Sequence, residues 1–271
     1  MIGHTIALDR EDFNVLVTMA FVSFTCISVF FLPLEIQNML KVRYAFFNPI
    51  SFVTASFVHD DPSGLASNLL VFMLFAVLLY FINKSIGKLG FYFFSTCIMF
   101  VILPLMNYGA LFYFGTYRIM EYGYGLSLVD SGLIGFTIPS LLLFSKFRLT
   151  TVNSAKLFIS MVLFTGCFVV VPYAVISSYN LLILVLCTIG GILTGKHEFR
   201  EILDYRRKNK LEALTVISLI IFYFLSIIGL FPSNIVTEKG IIDIMSHYIG
   251  LAFGILPFSF YVTHRDYSKP R

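Results

Sequence analysis

Apolar residues in this chain fall in eight runs, at approximately 14–33, 64–82, 90–108, 126–145, 156–176, 180–195, 212–231 and 241–262. Most are about 20 residues long, the length at which a helix rising 1.5 Å per residue crosses ~30 Å of hydrocarbon. Inside a bilayer every peptide N–H and C=O must be satisfied within the protein, so such runs are restricted to helices. Composition points the same way: 58% of residues are hydrophobic and 13% charged, against roughly half and a quarter in a soluble domain. The expected fold class is all-α, a polytopic transmembrane helical bundle of about eight spans. It forms one domain over residues 1–271, without internal repeats or linkers.

Several classes of function are excluded early. The net charge of +4 is no signal for nucleic acid in a membrane protein, where the position of cations matters more than their sum. Cys26, Cys97, Cys167 and Cys187 all sit in apolar runs without metal-ligand spacing, and are expected as free buried thiols. No metal, nucleotide or haem motif is present, so no cofactor is expected. Acidic residues precede the first run and no small-residue cleavage site follows it, which reads as a retained helix. With no Trp in the chain, the 15 Tyr are expected at the interfaces.

Lys and Arg set the orientation. With a cytoplasmic N-terminus and eight spans, only Lys41, Arg43, Arg118 and Lys239 of the 19 basic residues fall outside. Both termini are then cytoplasmic, and the plasma membrane is the expected location. Lys196–Lys210 becomes a basic cytoplasmic loop. Residues 34–63 become a long outer connection, too apolar (Phe46, Phe47, Ile50, Phe52, Val53, Phe57) to float in water and expected in the interface. The fifth and sixth runs should form a tight hairpin; if that pair is re-entrant, the count of spans falls to six or seven.

In this topology three polar residues lie at similar depth on the outer side. Ser131 is ~8 Å into its span, His247 ~9 Å and Asn68 ~6 Å. Polar groups within spans are costly and face the protein interior or a wet cavity. Small residues accompany them: Gly132 and Gly135 beside Ser131, and Gly250 and Gly254 after His247 in Gly-x-x-x-Gly spacing. Such residues let two helix backbones approach closely, and a short serine needs that approach to reach an imidazole within about 3 Å. The constellation suits nucleophilic acyl transfer. His247 is the candidate general base and Ser131 the nucleophile; Asn68 and His59, with the Ser131 N–H, are the candidate oxyanion donors.

These residues resemble the rhomboid family of intramembrane serine proteases. The family pattern is Gly-x-Ser-Gly on one helix, His-x-x-Gly-x-x-x-Gly on the last catalytic helix, and His-x₄-His-x₃-Asn on an earlier one. Ser131-Gly132, His247-Gly250-Gly254, and His59 with Asn68 correspond, over roughly residues 45–145 and 240–262. Val129 stands in place of the first Gly and Gly64 in place of the second His, and the family's Trp-Arg is absent. The resemblance implies a six-helix core, here with two extra helices between the Ser and His helices, and a Ser131–His247 dyad. It implies membrane-spanning protein substrates that unwind near the cut.

Asp243 lies four residues before His247, so two roles stay open: favouring a helix start through the dipole, or orienting His247 as a third catalytic member. Asp130 is expected to cap its helix or face water. Two other functions stay open as well: a catalytically inactive rhomboid-like protein that binds membrane segments, and a small membrane transporter. Oligomeric state is not legible.

Overall fold

The computed structural model describes residues 10–43, 48–113, 122–149, 152–173, 178–231, 236–237, 240–241 and 244–264. In chain order the helices are α1 (Arg10–Phe30), α2 (Leu34–Leu40), α3 (Pro49–Thr54), α4 (Pro62–Ser85), α5 (Leu89–Tyr113), α6 (Ser127–Arg148), α7 (Ser154–Val170), α8 (Ser178–Asp204), α9 (Lys210–Leu230) and α10 (Ile244–His264). Two-residue ladders pair β1 (Val42–Arg43) with β2 (Tyr122–Gly123), and β3 (Val236–Thr237) with β4 (Gly240–Ile241), both antiparallel. Seven helices are long and apolar enough to cross a membrane; α7 is apolar but shorter. The protein is a multi-pass membrane protein built as an all-α bundle.

α6 is the axis of the bundle. Every residue from Leu128 to Ser145 is buried, and α4, α5, α7, α9 and α10 all pack on it. Among the seven longest spans, α6 and α10 are the least apolar. A helix enclosed by other helices does not need to dissolve in lipid, so it can carry Ser, Thr and Gly where a peripheral helix cannot. α8 is the opposite case. It is strongly exposed along its length, with Leu182, Leu186 and Leu193 facing outward, and it packs mainly on α7. Ser160 donates to Gly191 O at 2.8 Å across that hairpin, and Gly191 meets the Phe164 ring.

Successive long helices alternate in direction. At one end of the bundle, Lys84 pairs with Asp12, Arg148 with Glu212 at 3.2 Å, and Lys146 donates to Val262 O at 2.6 Å. At the other end lie the starts of α4, α6 and α10 and the ends of α5 and α9, tied by Ser246 donating to Asn107 Oδ1 at 3.0 Å.

Two connecting segments carry helix. Within the connection 34–63, the described residues form α2, α3 and a 3₁₀ turn at Ala55–Phe57. Asn48 caps α3 at Ile50 N and Pro49 starts the helix, both strong local helix-start signals. α3 is amphipathic, with Ile50 72% exposed and Phe52 1% exposed against the Tyr108 ring. Phe46 and Phe47 lie outside the described residues. The stretch expected as a basic loop, 196–210, is mostly an extension of α8 to Asp204. His197–Glu201 and Arg200–Asp204 are spaced i,i+4 there, and nothing in 196–204 breaks a helix. Cys26 and Cys167 are buried free thiols as expected, whereas Cys97 is exposed on the bundle surface and Cys187 is half-buried. Pro232, Arg118 and Lys239 fall outside the described residues.

Candidate functional site

Glycines bring α6 and α10 into close contact along one seam. A methyl group on Gly254 would land on Gly132 O, 2.8 Å from Phe136 N and 2.9 Å from Gly135 Cα. One on Gly135 would strike Leu251 O and stand 3.1 Å from Gly254 Cα. One on Gly250 would stand 2.7 Å from Ser131 Cβ. Gly135, Gly250 and Gly254 thus line the contact between α6 and α10. Gly132 differs: its Cβ direction faces Leu103 and Met99 of α5, and only its backbone meets α10.

Ser131 is the fifth residue of α6 and is fully buried. It faces α10 at Gly250, one turn below His247 on the same face, since residues three apart share a helix face. Its hydroxyl donates to Ser127 O at 2.6 Å, the ordinary back-bond of a serine in a helix. His247 is the fourth residue of α10 and half-buried. Its Nδ1 lies 2.7 Å from Leu230 O, the last residue of α9, and the Phe231 ring stands edge-on to it at 6.3 Å.

His59 and Asn68 meet. His59 Nε2 is 3.0 Å from Asn68 Nδ2 and accepts from Leu126 N at 3.5 Å. A backbone N–H can only donate, so Nε2 carries the lone pair and the His59 proton sits on Nδ1. The Phe57 carbonyl lies nearby, outside hydrogen-bonding geometry. Burial pushes the His59 imidazole below its ordinary 6.5, against opposing effects of the Phe57 carbonyl, Asp61 and Asp60. In this state His59 holds the Asn68 amide as an acceptor, so its Nε2 is no oxyanion donor.

The node is braced from outside. Gly125 N donates to Ala55 O at 2.8 Å, and Gly125 adopts φ +105°, where a side chain would be strained. Lys41, only 7% exposed, pairs with Asp60 at 2.8 Å and lies 4.5 Å over the Tyr124 ring. The connection between α1 and α4 is thereby pinned to the residues just before α6. A cavity of about 60 Å³ lies between them, lined in part by Ser56, Asn107, Ser127 and Ser246. That is several times the ~10–15 Å³ a water centre requires, and its walls offer polar partners.

Gly64 stands where the resemblance expects a second histidine. Its N–H is taken by Asp61, which caps α4 at 2.9 Å. Asp130 corrects an expectation: it neither caps α6 nor faces water. It is 2% exposed, and neither carboxylate oxygen has a hydrogen-bond partner among the described residues. It lies within electrostatic reach of Cys26 on α1. Asp243 lies outside the described residues. Sequence reasoning missed the Leu230 carbonyl, Lys41 and Asn107. Pro232 was the available signal for the first, because a proline shortly past a helix marks an end whose last carbonyls lack intrahelical partners. Among the described residues no cluster of His, Cys, Asp and Glu could hold a metal.

Comparison with protein-family models, with curated proteins and with solved structures finds no match to this chain.

Proposed function

We propose that this protein is an intramembrane serine endopeptidase of rhomboid-like type, cutting membrane-spanning protein substrates with Ser131 as nucleophile and His247 as base. The observation that supports it most is the α6–α10 seam. Gly250 meets Ser131 Cβ with His247 one turn away, at the end of the bundle where His59 holds Asn68. For reaction, Ser131 leaves Ser127 O by a rotation about χ1. His247 takes its proton as Oγ attacks the peptide carbonyl. The oxyanion is met by the Ser131 N–H and by Asn68, whose amide keeps a second N–H when one goes to His59. His247 then gives the proton to the departing amine, and water hydrolyses the acyl-enzyme. The polar cavity beside Ser127 suits delivery of that water. The unequal distribution of Lys and Arg supports cytoplasmic termini and an outward-facing site in the plasma membrane.

A second reading, a rhomboid-like protein that binds membrane segments without cutting them, is favoured by one observation. The Ser131 hydroxyl is engaged by its own helix, and Val129 and Gly64 depart from the family pattern. A serine-directed fluorophosphonate probe in detergent and in lipid separates the two. Labelling of the wild type that is lost in Ser131→Ala supports the hydrolase. Failure of wild-type protein to label in both media, while remaining folded, sinks it.

A further inference from the structure

The helix that precedes α10 ends against the candidate base. Leu230 is the last residue of α9, and the last four carbonyls of any helix lack intrahelical partners. In a membrane such a carbonyl must be satisfied within the protein. Leu230 O finds His247 Nδ1 at 2.7 Å. A carbonyl oxygen only accepts, so at that distance Nδ1 must carry a proton, and in the neutral ring Nε2 is left with the lone pair. We propose that α9 is a working part of the site: the Leu230 carbonyl is a positioning group that holds His247 in the Nδ1–H tautomer, with Nε2 as its single basic nitrogen.

Two more observations give the contact its shape. Phe231 is fully buried and packs on Tyr248 at 4.5 Å as well as edge-on to His247, so the imidazole is held by a ring beside it as well as by an acceptor. Phe231 N also donates to Ile227 O at 3.3 Å, which closes the last turn of α9 and fixes where the Leu230 carbonyl points. The negative end of the α9 dipole then faces the imidazolium formed when His247 takes a proton. A buried carboxylate serves the same two purposes in a Ser-His-Asp triad, setting the tautomer and stabilising the cation. Here a backbone carbonyl would serve both without placing a second charge in the bilayer. The catalytic consequence rests on the endopeptidase reading; the tautomer does not.

The test uses the full chain in lipid bilayers, labelled with ¹⁵N-histidine. The His247 signals are assigned by their loss in His247→Gln. A single form with Nδ1 protonated and Nε2 bare is expected. An Nε2–H form, or a mixture of tautomers, overturns the inference whatever the activity. Replacing the Leu230–Phe231 amide by an ester weakens the Leu230 carbonyl as an acceptor and also removes the Phe231 N–H that donates to Ile227 O, so it loosens both parts of the α9 contact while leaving every side chain in place. That change should populate the second tautomer and slow fluorophosphonate labelling of Ser131 roughly 3–10-fold, the effect of weakening one hydrogen bond. If the ester alters neither tautomer nor labelling rate, Leu230 O is not the positioning group. A wild type locked in the Nδ1–H tautomer that does not label Ser131 upholds the α9 contact and removes the endopeptidase reading instead.

Discussion

Asn68 and His59 are coupled through one nitrogen, so each predicts the behaviour of the other. On the endopeptidase reading, Asn68→Ala removes one oxyanion donor and should slow Ser131 labelling and turnover about 10²–10³-fold. Ser131→Ala and His247→Ala should abolish labelling, with near-native thermal unfolding confirming that the fold survives. His59 acts on stability as well as on the site. Its folded pKa is lowered by burial, so the unfolded chain binds a proton that the folded chain refuses. Its contribution is present in full above the unfolded value near 6.5 and is lost as pH falls through 6.5 toward the lower folded value. A protonated Nε2 would also stop accepting from Asn68 and Leu126. Thermal unfolding in detergent, followed from pH 8 to 5, should show a decline below 6.5 that is shallower in His59→Gln. Equal declines in the two proteins would remove His59 as the cause.

At the scale of helices, the close approach of α6 and α10 is the feature most open to test. Gly254→Ala places a methyl on backbone atoms of Gly132, Gly135 and Phe136, which cannot swing aside as a flexible side chain can. The two helices must separate, and overpacking of this kind costs about 1–3 kcal/mol. Gly109→Ala meets nothing within 4 Å and should be neutral or slightly stabilising through helix propensity. Equilibrium unfolding of both variants checks the contrast; equal effects would mean that the seam tolerates more space than its geometry implies. This seam was legible in the sequence, because small residues at four-residue spacing read directly as a packing face. The extension of α8 was less so, since charged residues beyond an apolar run suit either a loop or a solvated helix. Asp130 was not legible at all. Its place in the first turn suggests a cap or a favourable dipole contact. It is buried because α4, α5, α9 and α10 enclose α6, through contacts between residues far apart in sequence that leave no local pattern. The Leu230 carbonyl is a backbone group with no residue type of its own, and only the end of α9 could hint at it.

For the molecule as a whole, the parity of spans decides on which side each terminus and the candidate site lie, and parity turns on α7. At 17 residues it is ~26 Å long, short of the ~30 Å hydrocarbon core. The 3₁₀ turn Val171–Tyr173 continues it, and at ~2.0 Å per residue adds ~6 Å, enough to finish the crossing. Its partner α8 is long enough to return, and buried contacts such as Thr165 with Tyr223 hold α7 against α9. If α7 and α8 both cross, the described helices make eight crossings, with the start of α1 and the end of α10 on one side and the starts of α4, α6 and α10 on the other. On the proposed topology, the concentration of Lys and Arg at the opposite end from those starts marks the shared side of the termini as cytoplasmic. Reporters active on only one side of the membrane, fused in turn to each terminus, should both give the cytoplasmic signal. A cysteine introduced at exposed Ile50, on α3 beside the site, should react with an impermeant thiol reagent from outside intact cells. Termini on opposite sides would mean that α7 and α8 do not both cross. That outcome would leave the Ser131 and His247 helices entering from different faces, and no seam between them could then support a shared reaction.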